Sequence, residues 1–242
     1  FFNMTCPGHV SISTGAYPSL HGIMTNDFWD RDLKKSVYCL EDPSEKWIDA
    51  PEDSKSDELG TSAKRIQVTT VADEMKTLWG NDSKAACVSY KDRGSIGLCG
   101  HAADFALWYA PKTKIWTTST AYAKSGKLPE WLTTYNRNAA DLHARTKDSK
   151  LEQMRRSVAQ TADLALKMVQ REKLGRSKKP DILSISFSAH DIVGHETGDD
   201  SSEIHEILKE EDFQIQRLIT EIQKQLPGKK VVFALTGDHG SG

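Results

Sequence analysis

The stretch "DILSISFSAHDIVGH", residues 181–195, decides the fold. Its first half is rich in Ile and Leu and is bounded by turn-forming residues, which predicts a buried strand. Its second half places Asp191 and His195 four residues apart directly after that strand. In α/β proteins, ligands are bound beyond the carboxyl ends of parallel strands, so this stretch predicts both a sheet and a site.

Strand and helix patterns alternate on both sides of this stretch. "KAACVSY" (84–90) predicts a second buried strand, and "KKVVFALTGDHG" (229–240) predicts a third that ends in a turn. Apolar residues recur at helical spacing from Leu151 towards Gly175, and a second long helix is predicted from Glu203 to Gln225. This order predicts an α/β fold with a mostly parallel sheet sandwiched by helices.

Two shorter helices are predicted nearer the start of the chain. Thr5, followed by Cys6 and Pro7, fits the N-cap of a helix that ends before Gly15. Thr70 and Asp73 form a capping-box-like pair, and Val71, Met75, Leu78 and Trp79 fall on one face of the helix that follows.

Two segments lack this regular pattern. Residues 27–69 are polar and interrupted by turn-forming residues, so few strands are expected there. Residues 102–138 include Phe105, Trp108, Tyr109, Trp116 and Trp131 among polar stretches, which suggests an inserted lobe beside the site. We interpret residues 1–242 as a single domain truncated at both ends, because the chain begins and stops abruptly.

Composition excludes several classes of protein. The 242 residues are 38% apolar and 27% charged, which is ordinary for a globular protein. The formal net charge of −2 does not suggest a nucleic-acid-binding surface. No apolar run approaches the roughly 20 residues that span a bilayer. The four cysteines, Cys6, Cys39, Cys87 and Cys99, allow two disulfides or four free thiols, and their spacing matches no zinc finger.

Two Asp/His pairs are the candidate metal ligands. Asp191 and His195 follow one predicted strand, and Asp238 and His239 follow another between glycines. Either pair alone is more often a turn or a helix cap. Two pairs at equivalent strand ends suit zinc, and two such ions about 4 Å apart are typical of phosphoryl chemistry.

Thr5 has two interpretations. As a lone threonine before a proline it is an ordinary N-cap. At a helix N-terminus, however, free N–H groups favour an anion, and a metal-bound threonine hydroxyl is a nucleophile at neutral pH.

Lys91 and Arg93 bear on the substrate class. If the segment after the predicted strand is extended, both cations point one way and Asp92 points the other. An ammonium and a guanidinium together suit the two negative charges of a phosphate monoester. The alternative is a solvated turn.

In this order, the motifs T-x-P-G-H (residues 5–9), Asn26, K-D-R (91–93), D-x-x-G-H (191–195) and T-G-D-H-G (236–240) resemble the alkaline phosphatase superfamily. The resemblance is to its type I phosphodiesterase/nucleotide pyrophosphatase branch, and more narrowly to the bacterial phosphate-irrepressible alkaline phosphatases with a threonine nucleophile.

The resemblance implies an alkaline-phosphatase-like fold and assigns roles to these residues. Thr5 would accept the phosphoryl group, and Asn26 would donate a hydrogen bond to it. Two Zn²⁺ are implied, one bound by Asp191 and His195, the other by Asp238, His239 and the Thr5 oxygen. The lysine and arginine, Lys91 and Arg93 here, mark the monoesterases of the family.

The implied function is zinc-dependent hydrolysis of small phosphate monoesters through a phosphothreonine intermediate, in the periplasm or outside the cell. The alternatives are a nucleotide pyrophosphatase or phosphodiesterase, whose base the aromatic stretch would stack, and an inactive phosphate-binding paralogue. The family pattern also has an upstream aspartate and a downstream histidine that this chain lacks, so the isolated chain is expected to bind zinc weakly. The sequence leaves the oligomeric state open.

Overall fold

The computed structural model describes residues 3–48, 59–145 and 148–240 of the protein. The strands, in chain order, are β1 Asp27–Asp30, β2 Lys35–Tyr38, β3 Glu41–Lys46, β4 Leu59–Thr61, β5 Ala85–Ser89, β6 Phe105–Ala110, β7 Ile115–Thr117 and β8 Ile182–Ser186. The helices are α1 Thr5–Thr14, α2 Pro18–His21, α3 Val71–Trp79, α4 Asp92–Cys99, α5 Glu130–Arg145, α6 Lys150–Arg171, α7 Ala189–Thr197 and α8 Ser202–Gln225.

The main sheet has the strand order β7-β6-β5-β8 within the described ranges. β5 runs parallel to both β6 and β8, and Cys87 lies opposite Ala106 on one side and Ser184 on the other. β7 pairs with β6 in the antiparallel direction. β8 is at the edge of the sheet and is only half-buried, whereas the sequence predicted a buried strand.

Helices cover both faces of this sheet, as predicted. Ala86, Val88 and Leu107 point into a core shared with α6 and α8. Cys87 and Trp108 point into a second core shared with α1 and α4. Because successive side chains of a strand alternate between faces, this division shows that β5 and β6 are buried on both sides.

The predicted helices form, and α3 begins with the expected signal. Thr70 and Asp73 complete a capping box on α3, and a second capping box begins α6. α6 and α8 match the two long predicted helices and pack against each other. On α3, however, Val71 and Leu78 are exposed, and the buried positions are Ala72 and Asp73. None of the helices in the described ranges is long and apolar enough to cross a membrane.

The expectation of few strands in residues 27–69 was wrong. β1 pairs with β2 and β3 pairs with β4, both antiparallel, in two small two-stranded sheets. At β3 and β4, polar residues bond to one another: buried Asp42 accepts hydrogen bonds from the side chains of Ser44 and Ser62. The apolar alternation that identifies a strand in a sequence is therefore missing.

The third predicted strand does not form. Residues 229–236 are described, but they are assigned to no strand, and Val232 and Leu235 are 79% and 82% exposed. A strand needs a neighbour that exchanges backbone hydrogen bonds with it, and no described strand does so here.

The aromatic range 102–138 contains β6 and β7, which belong to the main sheet. Trp108 and Trp116 are completely buried core residues, and Tyr109 stacks on Tyr90 with ring centroids 4.8 Å apart. These rings are used in packing the core, so they do not offer a free surface for stacking a nucleotide base. A separate lobe for the remainder of the range stays a prediction.

Both disulfides that the sequence allowed are present. Cys6 bonds to Cys39 across 33 residues, and Cys87 bonds to Cys99 across 12 residues. All four cysteines are fully buried. The first bond ties α1 to the residue after β2, and the second ties β5 to the end of α4.

We expect reduction of these bonds to destabilise the protein, because it restores chain entropy to the unfolded state. Loop lengths of 12 and 33 residues correspond to about 3 and about 4 kcal/mol of the free energy of unfolding. Equilibrium urea unfolding with and without reductant measures this loss. In each of the double variants Cys6→Ala/Cys39→Ala and Cys87→Ala/Cys99→Ala, reductant should lower the free energy of unfolding by less than in the wild type, because one disulfide is already absent. A wild-type unfolding curve that reductant leaves unchanged would contradict the assignment.

Candidate active site

Thr5 is the first residue of α1. The N-cap is Met4, which makes no side-chain cap, so the prediction that Thr5 is the N-cap was wrong. Thr5 is 6% exposed and lies in the turn whose backbone N–H groups have no carbonyl partner within the helix. Its hydroxyl is therefore at the end of the helix that favours an anion.

Asn26 lies against the same turn. Its Oδ1 accepts a hydrogen bond from the backbone N–H of Cys6 at 2.9 Å, so the NH₂ group is the end of the side chain that can donate. The backbone carbonyl of Asn26 accepts from the N–H of Cys39 at 2.8 Å. The disulfide between Cys6 and Cys39 therefore links the two segments that carry Thr5 and Asn26.

Asp191 and His195 lie one turn apart on α7, with Asp191 Oδ1 3.4 Å from His195 Nε2. Gly194, between them in the sequence, lies inside the same helix. The i, i+4 spacing of a helix is what places both side chains on one face.

The second Asp/His pair, Asp238 and His239, lies in contact with the first. His239 Nε2 lies 3.4 Å from Asp191 Oδ1 and 3.5 Å from Asp238 Oδ2. Burial alone would raise the pKa of Asp238, but His9 and His239 hold it below its usual value. Residues separated by more than 40 positions in the sequence thus form one cluster.

Lys91 joins this cluster. It is the N-cap residue of α4 directly after β5, and its ammonium forms an ion pair with the Asp191 carboxylate. Burial lowers the pKa of Lys91 despite this partner. Burial would raise the pKa of Asp191, but the hydrogen bond and charge of Lys91, with His195 and His239, lower it.

Arg93 is the second residue of α4, so the prediction of an extended segment from Lys91 to Arg93 was wrong. Asp92 does point away from the cluster, because it is buried and accepts a 2.7 Å hydrogen bond from the Tyr38 hydroxyl. Burial opposes the charge of Arg93, but Tyr38, Asp92 and Asp191 raise its pKa. The Nε atom of Arg93 is buried without a hydrogen-bond partner in the described residues.

His9, the last residue of the T-x-P-G-H motif, is a further residue of the site. It contacts Asp238 Oδ2 at 3.1 Å and the backbone oxygen of Thr5 at 2.8 Å. Its position four residues after Thr5 is a usable signal, since i and i+4 are adjacent on a helix. No sequence signal pointed to Tyr38.

The cluster fits zinc by the chemistry of its donors, which are carboxylate oxygens and imidazole nitrogens. His239 Nε2 is buried and makes no hydrogen bond, although it lies among carboxylate oxygens of Asp191 and Asp238. An imidazole nitrogen in this position is suited to a cation. Within residues 3–48, 59–145 and 148–240, no group of three or more His, Cys, Asp or Glu side chains is arranged so that it could hold a metal ion.

Comparison with known proteins identifies relatives of the chain. The chain is 30% identical over 98% of its length to the alkaline phosphatase PhoV of Synechococcus elongatus, and covers 50% of it. It is 26% identical, also over 98%, to the alkaline phosphatase PafA of Elizabethkingia meningoseptica, and covers 51% of that protein. The chain thus spans about half the length of these relatives.

The crystal structure of wild-type PafA superposes with a TM-score of 0.82 at 26% identity, covering 93% of this chain and 51% of that one. This confirms the predicted α/β fold. The model of the family described as type I phosphodiesterase / nucleotide pyrophosphatase matches residues 1–242, which is the full sequence. The chain therefore belongs to the type I phosphodiesterase/nucleotide pyrophosphatase family.

Proposed function

We propose that the protein hydrolyses phosphate monoesters in a zinc-dependent reaction through a phosphothreonine intermediate on Thr5. The observation that carries the proposal is the convergence of Asp191, His195, Asp238 and His239 with Lys91. Two similar proteins named as alkaline phosphatases support the monoesterase assignment.

The solved structure of a PafA variant also supports the proposal, because its substituted residues match residues of this chain in type and spacing. Its substitutions are at a threonine and an asparagine 21 residues apart, and at a lysine and an arginine two residues apart. In this chain, Thr5 and Asn26 have the first spacing, and Lys91 and Arg93 have the second. We assign the phosphoryl contacts to these four residues.

In the first step, the Thr5 oxygen forms a bond to phosphorus while the bond to the alcohol oxygen breaks, and the hydroxyl proton of Thr5 is replaced by the phosphoryl group and leaves with the departing alcohol. The N-terminus of α1 and the Asn26 amide stabilise negative charge on the phosphoryl oxygens. In the second step, water attacks the phosphothreonine, which releases inorganic phosphate and returns the proton to the threonine oxygen.

Asp191 and His195 would hold one zinc, and Asp238, His239 and the Thr5 hydroxyl would hold the other. When bound, zinc supplies Lewis acidity that polarises phosphoryl oxygens and lowers the pKa of a bound hydroxyl. Lys91 already lies at the Asp191 carboxylate, so its ammonium is positioned to neutralise a phosphoryl oxygen at the same place.

The two buried disulfides support a periplasmic or secreted location, because disulfides persist in oxidising compartments. We propose small phosphate esters as the substrates. Recognition would centre on the phosphoryl group, which all such esters share.

Thr5→Ala should abolish the phosphoenzyme and lower kcat/KM for p-nitrophenyl phosphate on the order of a thousandfold or more, because it removes the nucleophile. Thr5→Ser should keep measurable activity. The measurements are steady-state hydrolysis and acid trapping of labelled phosphoenzyme in the full-length protein.

Thr14→Ala is the matched control. Thr14 is the last residue of α1, and its hydroxyl bonds only the Val10 carbonyl and the Ala16 N–H nearby, so its loss should leave kcat/KM unchanged. Undiminished turnover by Thr5→Ala would refute the nucleophile, and phosphate binding without turnover by the wild type would favour the binding paralogue.

Lys91→Ala/Arg93→Ala should lower kcat/KM for monoesters far more than for diesters, because a monoester carries the greater charge. Loss of two charge-assisted contacts in a partly buried site should cost on the order of a thousandfold with p-nitrophenyl phosphate. Bis-p-nitrophenyl phosphate provides the diester rate.

Lys76→Ala controls for general damage, since Lys76 is a mostly buried lysine paired with Asp104 at 2.9 Å on another element. It should lower stability and leave the ratio of the two rates unchanged. If the Lys91→Ala/Arg93→Ala variant keeps its wild-type ratio, the diesterase alternative is preferred.

Removal of metal by a chelator should abolish hydrolysis, and zinc should restore it. His195→Ala should weaken zinc binding, measured by competition with a chromophoric chelator, because it removes one proposed ligand. His205→Ala is the control: His205 is an exposed histidine on α8 bonded to the Ser201 carbonyl. Full activity of the chelated protein would contradict the metal requirement.

A further inference from the structure

The imidazole of His9 lies where three segments of the site meet. Its Nδ1 is 2.8 Å from the backbone oxygen of Thr5 on α1 and 3.1 Å from Asp238 Oδ2. Its Nε2 is 2.8 Å from the hydroxyl oxygen of Ser186, the last residue of β8. β8 leads into α7, which carries Asp191.

These contacts determine which ring nitrogen carries the proton. A backbone carbonyl and a carboxylate are both acceptors, so Nδ1 must be the donor to Thr5 and Asp238. Nε2 shares a hydrogen bond with the Ser186 hydroxyl at 2.8 Å, and a hydroxyl can either donate or accept.

The packing around His9 leaves it little freedom. Its side chain is 7% exposed. A Cβ atom at Gly8 would collide with the backbone carbonyl of Asp238, and one at Gly97 would lie 3.0 Å from the Cβ of His9. The two glycines therefore permit the close approach of α1 to the Asp238 turn and to α4.

We propose that His9 is a positioning residue that holds the Asp238 carboxylate at a fixed distance from the first turn of α1, where Thr5 lies. Asp238 comes from a segment that pairs with no strand of the described residues, so among them backbone pairing does not fix its position. The inference rests on the proposed function in one respect, which is that Asp238 is a zinc ligand. Hydrogen bonds to metal-binding side chains orient them. The loss of such a hydrogen bond typically lowers metal affinity or activity about 10–100-fold.

Two conservative variants separate the contacts of the ring. His9→Asn keeps an N–H donor close to the position of Nδ1 and loses the contact with Ser186. His9→Gln keeps a polar group near Nε2 and loses the donor to Asp238. We expect zinc affinity, measured by chelator competition on folded protein, to fall about 10–100-fold in His9→Gln and only a few-fold in His9→Asn.

His21→Gln is the matched control. His21 is also a fully buried histidine and bonds the Ser11 hydroxyl at 3.0 Å and the backbone N–H of Ile23 at 3.1 Å, away from the cluster. This variant should lose stability and keep wild-type zinc affinity. Unchanged zinc affinity in His9→Gln would overturn the proposal and return His9 to helix packing.

A double-mutant cycle in metal-free protein tests the contact without zinc. The His9→Gln change should lower the urea midpoint in the wild type and much less in an Asp238→Ala background. Additive effects would overturn the proposal. Wild-type protein that binds no zinc would instead contradict the proposed function, while the cycle would still decide the role of His9.

The ring tautomer gives a measurement that needs no variant. In ¹⁵N-labelled metal-free wild type, Nδ1 of His9 should give the resonance of a protonated ring nitrogen. An unprotonated Nδ1 would overturn the assignment.

Discussion

The parallel pairing of β5 with β6 and β8 is the constraint on which the site depends. β5 is fully buried, so its position is set by packing from both faces as well as by its hydrogen bonds. Because β5 and β8 run in the same direction, the residues after them emerge at one edge of the sheet. Lys91 follows β5, and Asp191 follows β8 at the start of α7. Their ion pair is a direct result of this geometry.

The disulfides restrain the loops that bear the candidate phosphoryl contacts. The bond from Cys6 to Cys39 closes a loop that contains Asn26 and begins beside Thr5. The bond from Cys87 to Cys99 closes the loop that contains Lys91 and Arg93. Groups held in advance near their working positions lose less entropy when they bind a ligand. The same covalent bonds therefore serve stability and the arrangement of the site.

Opposite charges balance within the cluster. Two carboxylates, Asp191 and Asp238, lie close together in a partly buried place, and isolated charges there would be costly. Lys91 and the histidines offset that cost and keep both carboxyl groups ionised. An ionised carboxylate is also the form that binds a cation, so the electrostatics that stabilise this fold are compatible with the proposed chemistry.

Local pattern alone determined the elements whose physical cause is local. The amphipathic helices α6 and α8, the capping box of α3 and the buried strand β5 were predictable, because helix period, cap chemistry and apolar runs can be read in the sequence. The paired motifs also indicated the family. The four strands between residues 27 and 61 were missed, since their sequences lack the apolar alternation that identifies a strand.

Tertiary structure decided the remaining features, which depend on partners distant in the sequence. The pattern of residues 229–236 predicts a strand, but a strand exists only where a neighbour pairs with it. The choice between disulfides and thiols depended on which cysteines meet in space. The sequence by itself determined the residue types of the site, but it indicated neither helix α7, which carries Asp191 and His195, nor the helical position of Arg93. Only the tertiary structure decided that His9 contacts Asp238 and that Lys91 contacts Asp191, because distances between segments are set by packing of the whole core.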